Sequence, residues 1–170
     1  MCKKGSLRLS FSQGFNPFAN QDIWVSKAFH QPLQELTGRG LSEHEEGGSA
    51  SAPFKRMIDG WILAVAIGAS MDVPSPDFSF SDESATKIIN GAVWQKDLAV
   101  IEFLMALAIA ETDDPYVVDD PRKMLRIAHG FADLGFPRLI QMAQEGHLAS
   151  ATESLSRALV NDLVEFVEGG

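Results

Sequence analysis

The feature that most constrains this chain is an uninterrupted apolar run, Phe103 to Ala110, which leads directly into a group of acids. A helix that is apolar on every side is normally buried, because it has no face suited to water. The run therefore predicts a helix at the centre of a helical domain, whose end reaches solvent beside Glu111, Asp113 and Asp114. The apolar stretch from Leu98 reaches only about 20 Å, short of the roughly 30 Å hydrocarbon layer, so we interpret it as a core helix and expect no membrane span.

A second apolar helix is predicted from about Phe54 to Met71, because large apolar residues recur there at helical spacing. Pro53 suits the first turn of this helix, and the VPSP sequence at 73–76 ends it. We expect this helix and the helix around residues 98–110 to lie side by side at the centre of the domain.

Further helices are predicted on either side of this pair. One follows Asn20 as far as Leu36, and another begins at Asp120 and Pro121 and is broken by Gly135 and Pro137. The fold class predicted from these patterns is all-α, a compact irregular bundle of five to six helices. Leucine and phenylalanine alternate with polar residues near 6–12 and 77–80, which leaves room for a short β element there.

A last helix is predicted by the capping box that begins at Ser150 and ends at Glu153. Its apolar stripe comprises Leu155, Ala158, Leu159, Leu163, Phe166 and Val167.

The composition predicts three consecutive regions. Residues 38–52 are rich in glycine, serine and acids, which indicates a flexible linker. Before it lies an N-terminal arm, residues 1–37, with one helix, and after it lies the helical bundle body, residues 53–170. A single cysteine, Cys2, and the lack of an apolar signal segment favour a reducing compartment, so we expect a cytoplasmic protein.

The net charge of −9 disfavours broad nucleic-acid binding by the body. Residues 1–40 hold five basic and two acidic side chains, whereas residues 41–170 hold nine and twenty-one. We therefore expect nucleic acid to be contacted only weakly or indirectly, through basic residues at two places. These residues are Lys3, Lys4, Arg8, Arg122, Lys123 and Arg126. For the three that follow Asp120, pairing with the neighbouring acids is the favoured interpretation.

A metal site is an alternative reading of the acids that follow the apolar run. Glu111, Asp113, Asp114 and Asp119 supply the carboxylate oxygens that hard cations prefer. Their spacing matches no established calcium loop, so we interpret them chiefly as capping or solvated residues. No cofactor is predicted.

No catalytic motif appears in the sequence. The histidines, His30, His44, His129 and His147, form no metal-binding pair, and we interpret His129 as a satisfied boundary residue. Neither a GxSxG elbow nor a glycine-rich phosphate loop is present. The sequence therefore predicts a protein that is not an enzyme.

Large aromatic residues in the arm give the clearest indication of a partner. Phe11, Phe15, Phe18 and Trp24 would be costly to leave in water on a tethered segment, so we expect them to bind another protein surface.

Two stretches, residues 52–70 and 97–140, resemble the small helical proteins associated with bacterial DNA phosphorothioation (Dnd) systems. The shared features are a phenylalanine-led apolar helix, an alanine- and leucine-rich helix that ends near Glu-Thr, and a third helix that closes at a glycine. They correspond to Phe54, Met57, Gly68, Leu107, Ala110, Glu111, Thr112, Asp113, Ile127, Phe131, Ala132 and Gly135. The resemblance implies an accessory protein of a defence island that acts with larger enzymes, and it implies no catalytic residue.

The leading hypothesis is a non-catalytic accessory or adaptor subunit that binds protein partners in a bacterial defence or DNA-processing complex. The first alternative is a small DNA-binding regulator, and the second is a metal-dependent enzyme that uses the acids at 111–120. A homo-oligomer remains open.

Overall fold

The computed structural model describes residues 16–37, 52–81 and 83–145. The elements in chain order are strand β1 (Asp22–Ser26), helices α1 (Lys27–Glu35) and α2 (Met57–Ala69), strand β2 (Ala85–Asn90), and helices α3 (Leu98–Thr112) and α4 (Pro121–Gln144). Short 3₁₀ helices at Gly91–Trp94 and Pro115–Asp119 precede α3 and α4. Several predictions lie outside the described residues: the β element at 6–12, the roles of Lys3, Lys4, Arg8, Phe11 and Phe15, nearly all of the linker, and the helix after Ser150.

The two strands form an antiparallel sheet, so the predicted all-α fold class is wrong. Asp22 pairs with Asn90 and Ser26 with Ala85. The described residues form a mixed fold of four α-helices and one two-stranded sheet, rather than a bundle of five to six helices. The predicted β element at 77–80 is also wrong, because that extended segment joins no strand.

The error arose because strand pairing is long-range. Ile23 and Val25 are buried while their neighbours are half-buried, which is the alternation of a strand, and β-branched residues favour that conformation. The helix predicted from Asn20 therefore begins only at Lys27, because residues 22–26 form β1. The partner strand lies some sixty residues away, so no local pattern could show the pairing.

The centre of the core is the antiparallel pair of α2 and α4, whose backbones touch through glycines. A Cβ atom added to Gly68 would lie 1.9 Å from the Phe131 carbonyl oxygen, and one added to Gly135 would lie 1.8 Å from that of Ala64. Only glycine permits this approach. The prediction that α2 and the 98–110 helix form the central pair is therefore wrong.

Helix α4 is continuous through Gly135 and Pro137, where the sequence predicted a break. Pro137 cannot donate a hydrogen bond to the Asp133 carbonyl, which weakens the helix locally. Phe136 and Leu139 are almost fully buried, however, so packing holds the helix together across the proline. Its predicted start is confirmed, because the Asp120 carboxylate accepts hydrogen bonds from the amides of Arg122 and Lys123.

Helix α3 lies at the surface, so the prediction that it is buried on every side is wrong. Ile101, Leu104 and Ala108 are its buried residues, and they form one stripe against α4 and the Pro115–Asp119 turn. The rest of this apolar helix is exposed or half-buried. No helix among the described residues combines the length and apolar character needed to cross a bilayer.

Candidate functional site

An extended segment, residues 73–81, crosses the first half of α4, and we call it the strap. Ser75 fixes one end, because its amide donates to the Glu111 carboxylate at 2.8 Å and its hydroxyl donates to the Ile127 carbonyl at 2.8 Å. Gly130 lets the strap lie against the helix, since a Cβ atom there would be 2.2 Å from the Pro76 carbonyl oxygen. The strap is thus held by side-chain and packing contacts, without strand pairing.

His129 joins the strap to the core. Its ring contacts Phe78, Phe80 and Trp61, with centroids 4.8, 5.2 and 5.3 Å away. The Nδ1 atom donates to the Leu125 carbonyl, and Nε2 accepts the Trp24 amide at 2.8 Å. One neutral tautomer satisfies both bonds, and burial lowers the pKa of His129 to about 4. His129 is a satisfied residue, as predicted, but it lies in the core rather than at its boundary.

Two pockets flank the strap on the surface of α4. The larger pocket, about 610 Å³, is lined by Ser75, Pro76, Asp77, Glu111, Thr112, Asp120, Arg122, Lys123, Arg126 and Ile127. The smaller pocket, about 300 Å³, is lined by Asn20, Gln21, Asp22, Trp24, Phe80, Arg122, Leu125, Arg126 and His129. Arg122 and Arg126 line both pockets, because residues four apart lie on one helix face.

The cations on this face of α4 are not paired with the neighbouring acids, contrary to the favoured interpretation. The ion pairs among the described residues join Arg56 to Asp59 and Lys87 to Asp22. Arg126 instead lies over the Phe80 ring, 6.0 Å from its centroid. The guanidinium groups therefore remain available to an anion from outside.

The acids near the larger pocket do not assemble into a metal site. Glu111 accepts the Ser75 amide, Asp114 accepts the Tyr116 amide, and Asp113 ends α3 with a positive φ of 51°. Asp119 is exposed. Nowhere in the described ranges do three histidine, cysteine, aspartate or glutamate side chains meet in a way that could hold a metal ion.

The outward side of α3 is a second candidate surface, which we call the α3 face. Ala99, Glu102, Ala106 and Ala110 are exposed at helical spacing, opposite the buried stripe. Leu98, at the start of the helix, is 43% exposed. Half-buried Phe103 flanks this surface, and Glu102 is its sole charged residue.

The predicted arm anchors have different environments. Phe18 is fully buried and packs edge-to-face on Trp94 with centroids 5.8 Å apart, so it cannot serve as an exposed anchor. Trp24 is half-buried and lines the smaller pocket, so it remains a candidate. Sequence reasoning missed Ser75 and Phe80 as pocket residues. The alternating phenylalanines at 78 and 80 were the available signal, but they indicated a strand.

No protein-family model, curated protein or solved structure matches this chain.

Proposed function

We propose that this protein is a non-catalytic accessory subunit that binds a partner protein through the α3 face. The observation that carries the proposal is the mismatch between the composition of α3 and its burial. Apart from Glu102, Glu111 and Thr112, every residue of α3 is apolar, yet the helix fully buries three of them. Five more are partly buried against the core, and four are exposed: Leu98, Ala99, Ala106 and Ala110. Apolar surface of this kind, left in water, is typical of protein interaction sites.

The shape of the α3 face suits a helix or sheet from another protein. Ala99, Ala106 and Ala110 are small, so a partner backbone can approach closely along them. Phe103 and Leu98 at the sides offer larger apolar contacts. Protein interfaces usually have few charged residues at their centre, and the α3 face has one, Glu102.

The setting we propose is a bacterial defence or DNA-processing complex. Its support is the resemblance of residues 52–70 and 97–140 to Dnd-associated proteins, which includes the α3 sequence itself. In that setting, larger nuclease, helicase or modification subunits would be the partners.

A charge placed in the middle of the α3 face should abolish partner binding. The Ala106→Arg variant should keep its fold, since Ala106 is exposed, but should weaken the complex by at least about 100-fold, because an unpaired charge would be buried. Co-purification and calorimetry with the products of adjacent genes measure this effect. The matched control is Ala28→Arg, which changes an exposed alanine on α1.

The outcomes of this experiment separate the alternatives. Equal partner affinity for Ala106→Arg and Ala28→Arg would refute the α3 face as the interface. Light scattering of the isolated chain tests whether the partner is a second copy of this protein. A dimer that Ala106→Arg dissociates and Ala28→Arg leaves intact would identify it as the partner.

A DNA-binding regulator remains a second candidate. Arg122, Lys123 and Arg126 line the larger pocket, and none of them forms an ion pair with another described residue. Such binding should weaken steeply with salt, since phosphate contacts release counterions. Gel shifts with duplex DNA at several salt concentrations, using Arg122→Ala/Arg126→Ala, test it. Glu111 and Asp120 also line the larger pocket, and their carboxylates repel the phosphates of DNA. We therefore rank this function below protein binding.

A further inference from the structure

We propose that the two pockets beside the strap together bind a nucleotide, with its phosphate between Arg122 and Arg126 and its base against Phe80 and Trp24. This site lies on α4, away from the α3 face, so it goes beyond the proposed function and does not depend on it. The inference rests on the position of two unpaired arginines where an aromatic pocket and a polar pocket meet.

The arginines are placed for a phosphate. Arg122 and Arg126 are exposed and lie on successive turns of α4, where residues four apart have Cβ atoms about 6 Å from each other. A guanidinium binds a phosphate through two parallel hydrogen bonds, and a phosphate has enough oxygens to serve two guanidiniums at once. A carboxylate has only two oxygens, so it would satisfy this pair less well.

The acids around the arginines are held by other groups. Asp120 caps α4, and Glu111 binds the strap amide of Ser75. Asp22 bonds to Lys87 at 2.8 Å and to Asn90 at 3.2 Å, and these bonds lower the pKa of its carboxyl. The free acid among the described pocket residues is Asp77, on the strap. The pocket acids keep their charge, but neither arginine forms an ion pair with them, so a ligand phosphate meets two guanidiniums with free donor groups.

The smaller pocket is suited to a flat ring. Phe80 is 37% exposed and Trp24 is half-buried, so both can offer ring surface to a ligand. Bases stack on aromatic side chains with little regard to sequence, and arginine adds a cation–π contact. Asn20 and Gln21 also line this pocket, and their side-chain amides are groups that can bond to the polar edge of a base. The volume of about 300 Å³ is at the lower end of the range for ligand pockets.

The test is calorimetric titration of the full chain at low salt with AMP, GMP, CMP and TMP. Adenosine and inorganic phosphate are the two comparison ligands. At least one nucleotide should bind, and each comparison ligand should bind at least about 10-fold more weakly, because each makes only half of the contacts. The Arg122→Gln/Arg126→Gln variant should weaken nucleotide binding at least about 30-fold without changing the melting temperature.

Two further variants separate base recognition from simple anion binding. Phe80→Leu should weaken nucleotide binding about 10-fold while leaving phosphate binding unchanged. Arg138→Gln is the matched control, since it removes an exposed arginine farther along the same helix. Equal binding of phosphate and nucleotide, an unaffected double variant, or an absence of nucleotide binding would overturn the proposal. Salt-sensitive binding of duplex DNA without binding of any mononucleotide would also overturn the proposal, and it would support the DNA-binding regulator instead.

Discussion

Replacing Gly135 with alanine is expected to destabilise the protein by about 3 kcal/mol or more. The new Cβ atom would lie 1.8 Å from the carbonyl oxygen of Ala64, and backbone atoms cannot move aside as a side chain can. The two central helices would have to separate, which would loosen the contacts of Phe131 and Phe136 as well. Gly68→Ala should have a similar effect, since its Cβ atom would lie 1.9 Å from the Phe131 carbonyl oxygen.

Gly60→Ala is the matched control in the same helix as Gly68. The nearest atom to its added Cβ is Cδ1 of Leu33 at 2.7 Å, the far end of a side chain that can rotate. Its cost should stay within about 1 kcal/mol, because alanine also has the higher helix propensity. Urea unfolding followed by circular dichroism measures all three variants. Equal losses at Gly60 and Gly135 would show that the close backbone contact does not limit stability.

The free energy of unfolding is expected to fall by about 3 kcal/mol as the pH is lowered from 6.5 to 4, because of His129. In the unfolded chain this ring takes up a proton near pH 6.5, whereas burial lowers its pKa to about 4 in the folded protein. Between these values the unfolded state binds the proton and the folded state does not. Stability from this group is therefore complete above pH 6.5 and declines until about pH 4.

Protonation would also break a specific contact. The Nε2 atom accepts the Trp24 amide, and a protonated Nε2 could only donate, so β1 would lose one of its bonds to α4. Ser26, which donates to Asp133 at 2.7 Å, supplies another bond between β1 and α4. Protonation of His129 therefore removes one of these two side-chain bonds between β1 and α4.

The measurement is urea unfolding at intervals from pH 7.5 to 4. His129→Gln should be less stable at pH 7 and should lose most of the pH slope in this range. His30→Gln is the matched control for replacing a histidine, and the difference between the two slopes isolates the buried ring. A wild-type slope that His129→Gln leaves unchanged would assign the acid sensitivity to other groups.

The parts of the fold that could be predicted depend on local chemistry. Asp120 and Pro121 mark the start of α4 because a capping side chain and a proline act on the backbone beside them. Helical spacing also located α2 and α3, but the predicted start of α2 is wrong, because the helix begins at Met57 and Pro53 lies outside its first turn. The pairing of β1 with β2 could not be predicted, because it joins residues far apart in the sequence.

Part of the candidate site could be predicted, because it depends on residue types that are visible in the sequence. Arg122, Lys123, Arg126 and Trp24 were named from residue type alone. The strap, and Phe80 in particular, joins them only because residues 73–81 fold over α4, about fifty residues later in the chain. His129 was interpreted as a boundary residue because its burial depends on rings supplied by the strap and by α2.

The sequence by itself determined where three helices form, and that the chain has apolar surface to bury. Only the tertiary structure decided which apolar helix occupies the centre. Helices α2 and α4 pair there because Gly68 and Gly135 let their backbones touch, whereas α3 has no glycine and packs along one stripe. Hydropathy measures how strongly a residue avoids water, but backbone shape decides how closely two helices can approach. The apolar surface left on α3 is the result.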